Sequence, residues 1–501
     1  MDTTLRDGEQ TSGVSFNFDE KLSMAKLLLD ELKVDRLEIA SARVSAGELE
    51  AVRKIAAWAQ KNNRIDKIEV LGFVDGQVSV DWIKGAGCKV MNLLTKGSLK
   101  HVSEQLRKTP QEHINDIKQV IAYAQSQGVK TNLYLEDWSN GMRQSQEYVF
   151  ALIDGLKDEP VNRFMLPDTL GILNPDETYR FCSLMIERYP KLKFDFHSHN
   201  DYDLAAANVY AAIKAGIDCF HTTVNGLGER AGNVPLSSVI GIVKDHFKYD
   251  MAIDESKLTM VSRMIETYSG IRIPPNKPLI GENVFTQTSG IHADGDKKSN
   301  LYFNDLLPER FGRKRVYALG KTSGKANIAQ NLQALGIELD AESMKKVTQH
   351  IIELGDKKET VTQEDLPFII TDVLKSKSID EKIKILNFSL STAAGLRPVA
   401  TLKIQIDEQS YEETSVGDGQ YDAFMKALKK IYAKLKKELP KLTDYVVSIP
   451  PGGKTDALVQ TVITWNDGTG DFRTRGLDSD QTVAAIKATM KMLNILENNK
   501  K

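Results

Sequence analysis

Cysteine is scarce in this chain: the 501 residues hold three, Cys88, Cys182 and Cys219, scattered and with no Cys-x-x-Cys pair. So sparse and odd a set excludes a disulfide framework and points to a reducing compartment. Long basic runs are missing too, and the formal net charge is only -2. Nucleic acid is held by clustered lysine and arginine, so it is excluded as a partner on electrostatic grounds. No apolar stretch reaches the length of a membrane span, and the N-terminus has neither a basic segment nor an apolar signal core. The first expected βα turn lacks the glycines of a dinucleotide fingerprint, which weighs against a doubly wound open sheet. Together these absences predict a soluble, cytoplasmic protein with small-molecule partners.

What is present is ordinary in amount and ordered in pattern. Hydrophobic residues make up 41% and charged residues 27%, the balance of a globular protein. The length exceeds one core and implies two or three domains. Over the first half, short β-like runs at residues 2–5, 34–40, 68–73, 90–95, 130–136, 163–167, 193–199 and 219–224 alternate with amphipathic helical stretches. Leu22, Ala25, Leu28, Leu29 and Leu32 are spaced to cover one such helix face. Eight strands alternating with helices over about 250 residues predict a TIM (β/α)8 barrel.

A barrel domain over residues 1–280 should therefore be followed by a mainly helical linker region at 281–377. Residues 378–501 read as a duplicated α+β module. Each half has two strands around a glycine loop, at Gly395 or Gly453, then Gly417 or Gly476 leading into a helix. Two equivalent halves suit a small-ligand or dimerisation domain. Residues 320–325 (GKTSGK) and 452–455 (GGKT) lack the spacing of a phosphate-binding P-loop. Gly417-Asp418-Gly419 is likewise read as a turn.

Barrel enzymes carry their chemistry at the C-terminal ends of the strands. Here those ends read Thr4-Leu5-Arg6-Asp7-Gly8-Glu9-Gln10, then His197-Ser198-His199-Asn200-Asp201, and Asn225-Gly226-Leu227-Gly228-Glu229-Arg230-Ala231-Gly232-Asn233. His197 and His199 are two apart on a strand and so face the same way, into the barrel mouth. Two imidazoles with the Asp7 carboxylate make a divalent-metal site, with positions left for substrate oxygens. Such a ligand set suits Mn²⁺, Zn²⁺ or Mg²⁺.

These three segments, with the TQTSGIHADGD run at residues 286–296 and the duplicated C-terminal part, resemble the DRE-TIM metallolyases. The resemblance is to their Claisen-condensing branch, the 2-isopropylmalate, homocitrate and citramalate synthases, and it covers essentially the whole chain. It implies an acyltransferase that condenses acetyl-CoA with a 2-oxo acid. Asp7, His197, His199 and Asn233 would bind the metal, and Arg6 would stabilise the developing oxyanion or enolate. Glu136 or His292 would act as the base toward the acetyl methyl group, with Tyr302 a further catalytic residue. Thr169 would touch substrate oxygens, although a helix-capping hydroxyl is an equal reading.

Leu71, Leu94 and Tyr134 match the pocket that in bacterial citramalate synthases accepts pyruvate. The larger 2-oxoisovalerate, the substrate of 2-isopropylmalate synthase, is the alternative. The resemblance further implies a homodimer and an amino-acid effector, isoleucine for a citramalate synthase or leucine for an isopropylmalate synthase. A lyase of the 3-hydroxy-3-methylglutaryl-CoA type would need a cysteine beyond the last strand, and none follows Cys219. A catalytically dead amino-acid sensor would not need Arg6, Asp7, His197, His199, Asn233 and His292. Family members carry several residues before the first-strand motif, so the first strand is expected to be short.

Overall fold

The computed structural model describes residues 1–356, 361–374, 382–406, 409–448, 459–468 and 470–499. It divides into two compact units, Met1–Thr286 with Phe303–Val316, and Gln287–Tyr302 with the chain from Tyr317 onward.

In the first unit seven strands form one parallel sheet in sequential order: β1 (Leu37–Ser41), β2 (Ile68–Phe73), β3 (Val90–Lys96), β4 (Lys130–Glu136), β5 (Val161–Asp168), β6 (Phe194–Ser198) and β7 (Cys219–His221). Asp2 bridges Leu37 beside β1 on one side and Thr222 beside β7 on the other, both in parallel sense. The N-terminal segment thus takes the eighth position and curls the sheet into a TIM-type barrel. It is a bridge rather than the strand expected over residues 2–5. The reason is local: the Thr3 carbonyl accepts the N–H groups of Arg6, Asp7 and Gly8 at 3.2, 2.9 and 3.1 Å, and so turns the chain away at once.

The helices between strands start where side chains satisfy their free N–H groups. Asn17 with Glu20, Thr109 with Glu112, and Asn174 with Glu177 form reciprocal capping boxes ahead of the helices Phe18–Lys26, Pro110–Ser126 and Pro175–Arg188. Each cap is worth about 1 kcal/mol. Alternation along the strands then sorts the side chains. Leu93, Leu133, Leu135, Phe164, Leu166, Phe194 and Phe196 join the outer core between sheet and helices. Leu71, Tyr134 and Met165 fall on the opposite face and make a separate cluster inside the barrel.

The second unit has two cores of its own. One joins Leu319, Ile328, Leu332, Val347, Ile351 and Leu366, among the helices Lys325–Ala334, Ala341–Asp356 and Leu366–Leu374. The other underlies the duplicated module, in which each half is a three-stranded antiparallel sheet followed by a helix. The first half comprises Ile383–Ser391, Val399–Ile406, Gln409–Val416 and the helix Gln420–Lys434; the second Lys441–Ser448, Val459–Asn466, Asp471–Asp478 and the helix Gln481–Asn499. The third strand of each half departs from the expected two-strand pattern. Gln409–Val416 is a largely exposed outer strand of mostly polar residues, whose sequence lacks the apolar alternation of Val399–Ile406. Gly476, expected to precede the second helix, lies within Asp471–Asp478. The boundary expected at 377–378, the loop at Gly453 and residues 452–455 lie outside the described residues. Among the described residues, no helix is long and apolar enough to cross a membrane.

Candidate active site and metal centre

The turn that shortens the first strand also places Arg6 and Asp7 at the barrel mouth. Asp7 Oδ2 lies 3.1 Å from His197 Nε2 and 3.8 Å from His199 Nε2, and all three residues are buried. Arg6 Nη1 stands 3.4 Å from the same oxygen. None of these contacts has hydrogen-bond geometry, so Asp7 Oδ2 is a buried acceptor without a hydrogen bond. Asn233 adds a second one. Its Nδ2 donates to the Leu227 carbonyl at 3.1 Å, leaving Oδ1 buried and unpartnered. An antiparallel bridge to His199 holds Asn233 beside the group. That bridge depends on Gly232, whose φ is +83° and where a Cβ would stand 1.9 Å from the Gly226 carbonyl oxygen.

Buried acceptors without donors are costly unless something positive meets them. Donor atoms of Asp7, His197 and His199 lie within 4.8 Å of one another and could hold a metal ion. Their protonation suits this role. Burial would raise the Asp7 carboxyl, but the Arg6 charge and the two histidines outweigh it and hold the group well below the ordinary carboxylate range. Burial pushes the His199 imidazole down to about 4, against the pull of Asp7. Carboxylate and neutral imidazole are the forms that ligate metals.

A cavity of about 220 Å³ opens beside this cluster. Arg6, Asp7, His197 and His199 line one side, and Leu71, Leu94, Tyr134, Glu136 and Thr169 line the rest. Nine of the twelve expected site residues therefore meet at one cavity, with Asn233 next to His199. Thr169 Oγ1 accepts the Asp137 N–H at 2.9 Å, which ties the end of β4 to the loop after β5. His292 and Tyr302 belong to the second unit. There their rings pack at a tilt of 35° with centroids 4.1 Å apart, and His292 Nδ1 lies 3.2 Å from Gln287 Oε1.

Beneath the cavity is a buried polar network that the linear sequence did not single out. Glu38 accepts from Arg6 Nε and Thr3 Oγ1, both at 2.7 Å, and from Asn92 Nδ2 at 2.8 Å. Burial disfavours its charge, but Arg6 and these donors hold the carboxyl below its ordinary range. Arg6 in turn keeps its charge, because Glu38 and Asp7 overcome its own burial. The Tyr134 hydroxyl meets His221 Nδ1 at 3.0 Å, and His221 Nε2 meets Asp195 at 3.1 Å. Strand parity was the available signal: Asp195 precedes His197 by two, and Glu38 is the lone charge in an apolar run. Gln10, Ser41 and Glu229 also reach the cavity.

The chain resembles known proteins over nearly its whole length. The family model described as HMGL-like matches residues 1–265. The chain belongs to this family. Two further models complete the HMGL-like chain: a homocitrate synthase post-HMGL domain-like segment at 279–359, and a LeuA allosteric (dimerisation) domain at 360–497. An (R)-citramalate synthase of Methanocaldococcus jannaschii is 33% identical over 99% of this chain and 99% of its own length. A 2-isopropylmalate synthase of the same organism is 31% identical over 99% of this chain and 93% of its own. Among solved structures, the hydroxymethylglutaryl-CoA lyase of Pseudomonas aeruginosa is 18% identical over 55% of this chain and 93% of that one, with a TM-score of 0.47. This HMGL-like protein is thus a DRE-TIM enzyme of the acyltransferase group that holds the citramalate and isopropylmalate synthases.

Proposed function

We propose that this enzyme condenses acetyl-CoA with pyruvate and releases (R)-citramalate and CoA. The observation that carries the choice of 2-oxo acid is the lining of the cavity. Leu71, Leu94 and Tyr134 line the space beside Arg6 and the Asp7–His197–His199 group, and bulky side chains there favour a methyl group over an isopropyl. Discrimination by size amounts to about 1–3 kcal/mol per methylene. The rival substrate, 2-oxoisovalerate, draws on the comparable identity to an isopropylmalate synthase.

Asp7, His197, His199 and Asn233 would hold a divalent metal, Mn²⁺, Zn²⁺ or Mg²⁺. When bound, it polarises the keto carbonyl of the 2-oxo acid as a Lewis acid. Arg6 supplies a fixed positive charge toward the oxygen on which negative charge develops. Glu136 takes a proton from the acetyl methyl group, and His292, with Tyr302 against it, is the second candidate for that step. Loss of that proton lets the methyl carbon bond to the keto carbon as the C=O π pair moves onto the keto oxygen, which takes up a proton to become the product hydroxyl. Water then cleaves the thioester and CoA leaves as its thiol. Thr169, its oxygen engaged by Asp137 N–H, has its own proton free to donate to a substrate oxygen.

The duplicated module is proposed to bind isoleucine as a feedback inhibitor and to pair two chains as a homodimer, in the cytoplasm. Its support is the match to an allosteric (dimerisation) domain. Chromatographic analysis of the product tests the main reading: acetyl-CoA and pyruvate with Mn²⁺ should yield (R)-citramalate, and its absence contradicts the proposal. Isoleucine titrated against turnover should inhibit more strongly than leucine, and the reverse order would favour the isopropylmalate reading.

A further inference from the structure

Reading Glu136 as a base leaves its closest charged neighbour without a role. β3 and β4 run parallel in a register that pairs Leu94 with Tyr134 and Lys96 with Glu136. Residues two apart on a strand share a face. Leu94 and Tyr134 line the cavity, so Lys96 and Glu136 form the next layer toward its mouth. There the Lys96 ammonium pairs with Glu136 Oε2, with side chains only 11% and 26% exposed. Among the described residues no hydrogen bond reaches the other carboxylate oxygen, Oε1.

The backbone on both sides of the pair is fixed. Lys96 N–H donates to His113 Nε2 at 3.1 Å, and the Lys96 carbonyl accepts from the Tyr148 hydroxyl at 2.8 Å. Gly97 N–H donates to the Glu136 carbonyl at 2.6 Å. The approach is so close that a Cβ on Gly97 would stand 2.4 Å from the Leu135 oxygen. Across from it, Asp137 adopts a left-handed φ of +65°. That conformation is unfavourable in a non-glycine residue and persists only where its surroundings impose it. Here Thr169 accepts its N–H, and Asn140 Nδ2 donates to its side chain at 2.8 Å.

Such a frame presents two long, flexible side chains to each other at a constant spacing. We infer that Lys96 is a positioning residue: it holds the Glu136 carboxylate in one orientation, with Oε1 turned to the work of proton removal. This rests on the reading of Glu136 as the base. One physical effect supports it. A free glutamate side chain samples several rotamers, and immobilising it costs side-chain entropy. An ammonium on Oε2 opposes that loss of order and leaves Oε1 available.

The test compares full-length Lys96→Met, Lys96→Arg, Glu136→Gln and the Lys96→Met/Glu136→Gln double variant, with Mn²⁺, acetyl-CoA and pyruvate. Lys96→Met should lower kcat by about tenfold or more, and leave KM for both substrates within about threefold. Lys96→Arg should recover most of the rate. Because Lys96 acts through Glu136, the double variant should be no slower than Glu136→Gln alone. If Lys96→Met does not fold, Lys96→Gln serves the same comparison. Multiplying losses in the double variant, or a raised KM for acetyl-CoA at unchanged kcat, would show Lys96 acting independently and overturn the inference. A wild-type-like Lys96→Met beside an inactive Glu136→Gln overturns it while leaving the base reading intact. An active Glu136→Gln overturns the base reading, and Lys96 with it.

Discussion

Replacing Glu38 by glutamine changes one oxygen to an NH₂ group and nothing in shape. In the native protein both carboxylate oxygens accept: Oε2 from Arg6 Nε and Thr3 Oγ1, Oε1 from Asn92 Nδ2. A glutamine must turn its NH₂ toward one of these donor sets, so at least one buried donor faces another donor. The larger effect is on charge. Glu38 and Asp7 are the two carboxylates that neutralise the buried Arg6, and removing one leaves Asp7 alone to do it. Breaking a buried ion pair by losing one partner costs about 3–5 kcal/mol. Because Asp7 and Thr3 stay, the lower end of that range is expected, about 3 kcal/mol.

Urea unfolding of wild type and Glu38→Gln at pH 7 measures that difference, and kcat should fall by about a hundredfold as Arg6 loses its anchor. The pH dependence has a definite sign. Glu38 has its folded-state carboxyl below the unfolded one. Its stabilisation is therefore complete above the unfolded value and fades as pH falls through the folded one. The gap between the two proteins should narrow in acid. An unchanged urea midpoint with kcat within twofold would refute the claim that Glu38 anchors Arg6.

Other perturbations reach different parts of the account. His199→Ala should abolish turnover and weaken Mn²⁺ binding in a calorimetric titration while leaving the circular dichroism spectrum unchanged; full activity would remove His199 from the metal group. Leu71 and Leu94 replaced by smaller residues should shift kcat/KM toward 2-oxoisovalerate relative to pyruvate by about tenfold or more; a ratio that does not move would place the specificity elsewhere. His113 is buried, accepts Lys96 N–H and has its imidazole pushed down to about 4. The unfolded chain therefore binds a proton that the folded one refuses, and stability should drop by about 2–3 kcal/mol between pH 7 and pH 4.5 from this group. In urea unfolding His113→Gln should lose that part of the pH dependence.

The barrel strands were legible because parallel strands covered on both faces read as apolar runs, and five of the seven, β2 to β6, match their expected spans closely. The N-terminal segment, expected to be a short strand over residues 2–5, is shorter still, because the Thr3 carbonyl gathers three N–H groups, an event that hydropathy does not register. The third strands of the C-terminal halves escaped notice for a related reason: Gln409–Val416 and Asp471–Asp478 have little apolar alternation to show. At the site, motif residues converged on one cavity, whereas Glu38, His221 and Asp195 needed three-dimensional contacts to acquire meaning. Lys96 became visible only through the register of β3 against β4.

The cavity walled by Leu71, Leu94 and Tyr134 beside the Asp7–His197–His199 group is proposed to select the smaller 2-oxo acid. The most direct measurement is CoA release, followed with a thiol reagent, from acetyl-CoA with pyruvate or 2-oxoisovalerate at matched Mn²⁺. Pyruvate should show a kcat/KM at least about tenfold above that of 2-oxoisovalerate. Equal or greater turnover of 2-oxoisovalerate, or no CoA from either acid, would contradict it.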